Sequence, residues 1–137
     1  NASAEPHRRR TQDAVLIERI HRMKTAALIA AAAEAGAIAA GAPPARRKAL
    51  RAYGEALGLA FQIIDDVLDL TGDKSRLGKS GSDARNGKLT YPSVHGLERS
   101  RVEAARLSRR ASRLLAPFGP AADPLRWLAE HALTRQK

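Results

Sequence analysis

Three aspartates in an apolar setting are the residues of this sequence best suited to do chemistry. They stand in Phe61-Gln62-Ile63-Ile64-Asp65-Asp66-Val67-Leu68-Asp69. On a helix Asp65 and Asp69 are four apart and share a face, with Asp66 about 100° round the axis. Aspartate is a poor helix former, and acids toward a helix C-terminus oppose its dipole. Like charges ~4 Å apart repel by about 4 kcal/mol at an effective dielectric of about 20, so the cluster calls for a counter-cation. Hard carboxylate oxygens with no histidine or cysteine beside them suit magnesium, which commonly links a few carboxylates to substrate phosphates. The plainer alternative is an acidic helix end in open solvent. The apolar residues Phe61, Ile63, Ile64, Val67, Leu68 and Leu70 around the acids point instead to a cleft.

Downstream lies a polar stretch punctuated by Gly72, Gly78, Gly81 and Gly87 and carrying spaced lysines, ending in Lys88-Leu89-Thr90-Tyr91-Pro92. Such a loop can fold over phosphates, offering amide N–H groups and ammonium charges. It lacks the spacing of a P-loop, which excludes that class of nucleotide site.

Helices must position these groups. From about Thr11, Val15, Leu16, Ile20, Met23, Ala27, Ala31 and Ile38 recur at spacings of three and four, a helical pattern that stops at Gly41 before Pro43 and Pro44. A second helix is expected from about Ala45 to Leu70, with Leu50, Tyr53, Leu57, Phe61, Ile64 and Leu68 as its apolar stripe. That stripe would face water unless something covers it. Pro92 suits the first turn of a short helix. A basic helix is expected over Glu98 to Leu115, ended by Pro117, Gly119 and Pro120. Asp123 and Pro124 then read as the N-cap and first position of a last helix. No alternating strand pattern occurs, and the fold class is all-α.

The composition agrees. The apolar fraction is 44%, aromatics are only 4%, and alanine supplies much of the rest. A chain of 137 residues is the size of one domain. Its core should be thin, and a partner surface or further segment would help it. Cysteine is absent, so neither disulfides nor thiolate metal sites arise. The alanine-rich run from Thr25 to Gly41 is too short for a membrane span, and no signal peptide is evident, so a cytoplasmic location is the expectation. The net charge is +10, from 24 lysines and arginines against 14 acids. That balance admits a nucleic-acid partner, but no aromatics interleave with the arginines as a stacking platform needs.

In combination these motifs are recognisable. Gly58 through Asp69 with Gly72-Asp73, then Leu77-Gly78-Lys79 and Gly87-Lys88-Leu89-Thr90-Tyr91-Pro92, resembles the second aspartate-rich motif of the trans-isoprenyl (polyprenyl) diphosphate synthases. Upstream, Ile20-His21-Arg22-Met23-Lys24-Thr25-Ala26-Ala27-Leu28-Ile29 resembles the helix carrying the family's Lys-Thr pair. The bacterial short-chain farnesyl diphosphate synthases are the nearest branch, and the likeness runs from about Leu16 to the C-terminus.

The resemblance implies the C-terminal half of an isoprenoid synthase helical bundle, with residues 1–10 a disordered lead-in and 11–137 the C-terminal half of a polyprenyl synthetase domain. It implies that Asp65, Asp66 and Asp69 hold a magnesium ion gripping an allylic diphosphate. Lys24, Lys79 and Lys88 would contact that diphosphate. Thr25 and Gln62 would line the carbocation's path with their oxygen dipoles. The implied reaction condenses isopentenyl diphosphate with the allylic diphosphate: ionisation, attack by the alkene, then loss of a proton. The family's first aspartate-rich motif and its basic isopentenyl-diphosphate set have no counterpart here, and family members are about twice this long. The chain is therefore expected to be inactive alone, and to form a homodimer or to associate with a complementary half. A non-catalytic helical subunit partnering a complete homologue is the alternative. No nucleic-acid partner and no membrane span are expected.

Overall fold

The computed structural model describes residues 4–75 and 89–134, with side chains from residue 8 to 72 and from 89 onward. Lys79 and Lys88 lie outside the described residues. Every described element is helical: α1 (Ala4–His21), a π-helical turn (Arg22–Ala26), α2 (Ala27–Ala39), α3 (Pro44–Ser75), α4 (Tyr91–His95), α5 (Leu97–Leu114), a 3-10 segment (Ala116–Ala122) and α6 (Asp123–Thr134).

The boundaries follow from local chemistry. Gly41, at φ 68°, ends α2: its N–H donates to Ile38 O, and that of Ala42 donates to Ala37 O. This paired closure uses the left-handed conformation that glycine adopts without steric cost. Pro44 opens α3 where its missing N–H costs nothing. α1 begins at Ala4, ahead of the apolar pattern, and Pro6 sits in its first turn, where proline is tolerated. The expected lead-in is thus helical from Ala4. α3 also outruns its expected end. It passes through Gly72 to Ser75, because one glycine costs a helix only about 1 kcal/mol. The aspartates therefore lie roughly two to three turns inside α3 rather than at its end.

α3 is the central helix, flanked by α2 on one side and α5 on the other, with α6 closing one end. Its stripe is covered by the chain itself, against the expectation that it would face water. Tyr53 and Leu57 are buried with Ala111, Leu115, Ala122, Ala129 and Ala132, while Ile64 packs with Ala26, Leu59, Ala60, Ile63, Ala104 and Leu107. Tyr53 Oη donates to Leu125 O at 2.8 Å, and burial pushes its phenol up to about 12.

The uncovered apolar face lies elsewhere. Val15, Leu16, Ile20, Met23, Leu28 and Ile38, mostly the residues that mark the first helical pattern, are exposed, Met23 at 69% and Leu28 at 72%. The face that α1 and α2 bury is Ile17, His21, Ala26, Ala30 and Ala37. Small residues line it because α2 and α3 nearly touch. A Cβ built on Gly58 would lie 2.5 Å from Ala26 Cα, and one on Gly54 would lie 2.6 Å from Ala30 Cα.

Candidate functional site

The close seam between α2 and α3 sets the site's register. One turn beyond Gly58 on α3 is Gln62, and beside Ala26 is Thr25, so the two meet: Thr25 Oγ1 donates to Gln62 Oε1 at 2.9 Å. Lys24 and Thr25 belong to the π-helical turn. The buried positions Ile17, His21, Ala26 and Ala30 are spaced four, five and four, and the step of five is that turn. Its extra residue keeps both α1 and α2 facing α3, and such single turns occur often at functional sites. Lys24 is exposed beside it.

The three aspartates divide. Asp65 and Asp69 are half-buried, on one face of α3. Asp66 is buried at 8% exposure. Its Oδ2 accepts from Tyr91 N–H at 2.9 Å and lies 3.1 Å from His21 Nε2, while Oδ1 lies 3.4 Å from Gln62 Nε2. Burial pushes the Asp66 carboxyl up. The His21 hydrogen bond, the Tyr91 N–H, the attraction of His21 and the Gln62 amide outweigh it, and the net direction is below the ordinary carboxylate value.

Tyr91 N–H is aimed by its own helix start. Thr90 Oγ1 accepts from Ser93 N–H at 3.2 Å, and Ser93 Oγ accepts from Thr90 N–H at 3.0 Å, a reciprocal capping box. Pro92 has no N–H, so the one donor of the first turn left for an outside partner is that of Tyr91, and it goes to Asp66. The Tyr91 ring stacks on His21 at 6.0 Å and meets His95 at 4.3 Å.

Hard-cation chemistry fits two of the three acids. Among the described residues no group of three carboxylates or imidazoles gathers as a metal site. Asp65 and Asp69 offer hard oxygens from one face, which suits a cation that completes its shell with phosphate and water. Asp66 fits less well, because it is buried, faces α1 and α4, and already holds the His21 imidazole and the Tyr91 N–H on Oδ2.

Sequence reasoning missed His21 and Tyr91 as partners of Asp66. The available signal was the spacing of four between Ile17 and His21, which puts the imidazole on a buried face. A cavity of about 170 Å³ lies against His21 and Tyr91, between α1, α3 and α5, and holds none of the expected site residues. No described helix is long and apolar enough to cross a membrane.

Every described element is helical, and Thr25 of the Lys-Thr turn meets Gln62 one turn before Asp65 and Asp66 on α3, as an isoprenoid synthase helical fold would have it. A family model described as polyprenyl synthetase matches residues 7–113, and this chain belongs to that family. It is 42% identical over 135 residues to a dimethylallyltranstransferase of Fischerella ambigua, covering 98% of this chain and 39% of that one. It is 44% identical over 126 residues to the farnesyl diphosphate synthase of Escherichia coli, covering 88% of this chain and 42% of the relative. A crystal structure of a decaprenyl diphosphate synthase from Rhodobacter capsulatus superposes with a TM-score of 0.77 at 33% identity, over 88% of this chain and 50% of that chain. The chain thus spans less than half the length of these curated relatives.

Proposed function

We propose that this chain is the diphosphate-gripping part of a short-chain prenyltransferase, one that condenses isopentenyl diphosphate with an allylic diphosphate. The observation that carries the reading is the meeting of two motifs far apart in sequence: Thr25 of the Lys-Thr turn bonds Gln62, one turn before Asp65 and Asp66. Asp65 and Asp69 would hold magnesium. When bound, the metal supplies Lewis-acid neutralisation of charge on a departing diphosphate. Lys24 adds an exposed ammonium from the same turn as Thr25, and Lys79 and Lys88 belong to the proposal through their sequence motifs. Thr25 and Gln62 present oxygen dipoles toward developing positive charge. Fixed dipoles of this kind need no reorganisation as the charge forms.

One acidic cluster serves one side of such an assembly, and the resemblance calls for carboxylates on two facing helices. The chain alone is therefore expected to incorporate no isopentenyl diphosphate. It is also expected to associate, with itself when no other partner is present, through the exposed face of Met23 and Leu28. Each large side chain buried there would contribute about 1.5–3 kcal/mol. Light scattering on the wild type and on Met23→Glu/Leu28→Glu, with a condensation assay beside it, tests both points. The wild type should be larger than a monomer, and the charged variant monomeric with its helices kept. A wild-type monomer that makes prenyl diphosphates would overturn the reading. The uncovered face also favours a non-catalytic subunit of a complete synthase, and stimulation of such a synthase by this chain would select that alternative.

A further inference from the structure

Five polar or charged side chains are buried among the described residues: His21, Gln62, Asp66, Ser100 and Ser108. The two serines each serve a backbone carbonyl, Ser100 Oγ donating to Gly96 O and Ser108 Oγ to Ala129 O. The other three converge on one carboxylate, and they come from different parts of the chain. His21 ends α1, Gln62 and Asp66 sit on α3, and the Tyr91 N–H opens α4. Thr25 joins through Gln62. A buried carboxylate without partners is costly, and one held by several donors ties together whatever elements supply them.

Adjacent aspartates on a helix point about 100° apart, so the pair cannot serve one ion from one side. Asp65 shares its face with Asp69, and Asp66 turns toward α1 and α4. A magnesium ion on Asp66 Oδ2 would compete with the His21 and Tyr91 donors, and one on Oδ1 would have to enter a buried site beside the Gln62 amide at 3.4 Å.

We propose that Asp66 is a positioning residue rather than a third metal ligand, and that His21 acts through it. On this assignment the His21–Asp66–Tyr91 junction locks the end of α1 and the start of α4 onto α3. It thereby holds the Lys24–Thr25 turn at a set distance from Asp65 and Asp69. What is being positioned rests on the proposed function; the junction itself does not.

The test uses the whole chain, manganese as the metal probe, and thermal unfolding. Asp65→Asn and Asp69→Asn should weaken manganese binding, read by electron paramagnetic resonance, at least tenfold with little change in melting temperature. Asp66→Asn should bind within threefold of wild type and melt lower by on the order of 10 °C, as expected when a buried charged network loses a partner. His21→Ala should lower the melting temperature and weaken manganese severalfold. His21→Gln, whose amide can reach Asp66, should restore at least half of both losses. His21→Leu, which fills the space but donates nothing, should recover neither; recovery by Leu as good as by Gln would make His21 merely space-filling.

Should Asp66→Asn fail to fold, the wild type still decides. Saturating magnesium should leave the His21 side-chain nitrogen resonances in place if Asp66 keeps its donors, and shift them if Asp66 ligates the metal. Equal loss of manganese in Asp66→Asn and Asp65→Asn, or displaced His21 resonances, overturns the proposal. If Asp65→Asn and Asp69→Asn leave manganese binding untouched, the proposed function fails instead, while melting temperatures and the His21→Gln recovery still report on the junction.

Discussion

Gly58→Ala is expected to pry α2 from α3 or to leave the chain unfolded. The added Cβ would stand 2.5 Å from Ala26 Cα, 3.0 Å from Ala26 Cβ and 3.1 Å from Ala26 N. These neighbours are chiefly backbone, so no rotamer change relieves the contact, and one helix must move. Overpacking typically costs about 1–3 kcal/mol, and occasionally more where backbone must shift. In a chain of this size that amounts to a melting temperature lower by roughly 10 °C. The Thr25–Gln62 hydrogen bond depends on the same approach and should be lost with it. Gly36→Ala is the control: nothing lies within 4 Å of its added Cβ. As an alanine for glycine exchange inside α2 it should stabilise by about 0.5–1 kcal/mol. Calorimetry on the two variants decides, and equal melting temperatures would mean that the seam is looser than its geometry.

Asp65→Ala, in an active complete synthase carrying this sequence, is expected to lower turnover by at least about a thousandfold while leaving the fold intact. Losing a carboxylate that holds the cation neutralising a leaving diphosphate removes several kcal/mol of transition-state stabilisation, and about 1.4 kcal/mol is tenfold in rate. Stability should change little, because Asp65 is half-exposed and truncating it relieves repulsion within the acidic cluster. Steady-state turnover at saturating magnesium, with circular dichroism melts as the folding check, measures both parts. Unchanged turnover would remove Asp65 from the metal site.

Helix content and several helix ends were legible in the residues. Pro43 and Pro44 after Gly41 must break a helix, since proline offers no N–H and glycine accepts a positive φ. The shared face of Asp65 and Asp69 follows from a spacing of four. The family likeness was legible too, through Lys24-Thr25 and the motif ending in Asp69. Apolar periodicity marked a helix but not the buried face of α1 and α2, because it weights large side chains, most of which are exposed. The contact with α3 selects small ones: Ala26 and Ala30 go in against Gly54 and Gly58, where backbones nearly touch. The extra residue of the π-helical turn was likewise invisible, since only the presence of α3 makes a step of five between His21 and Ala26 favourable.

Asp65 and Asp66 show the limit most sharply. They are the same residue, one position apart, with the same apolar neighbours in sequence. What separates them is a rotation of about 100° about the α3 axis, and the value of that rotation depends on what stands at each end of it. For Asp66 it is the His21 imidazole and the Tyr91 amide, 45 residues before and 25 after. Local sequence therefore determined that a carboxylate cluster would form on a helix. Tertiary structure alone decided which carboxylate turns inward to the imidazole and amide of distant helices and which two share the other face of α3.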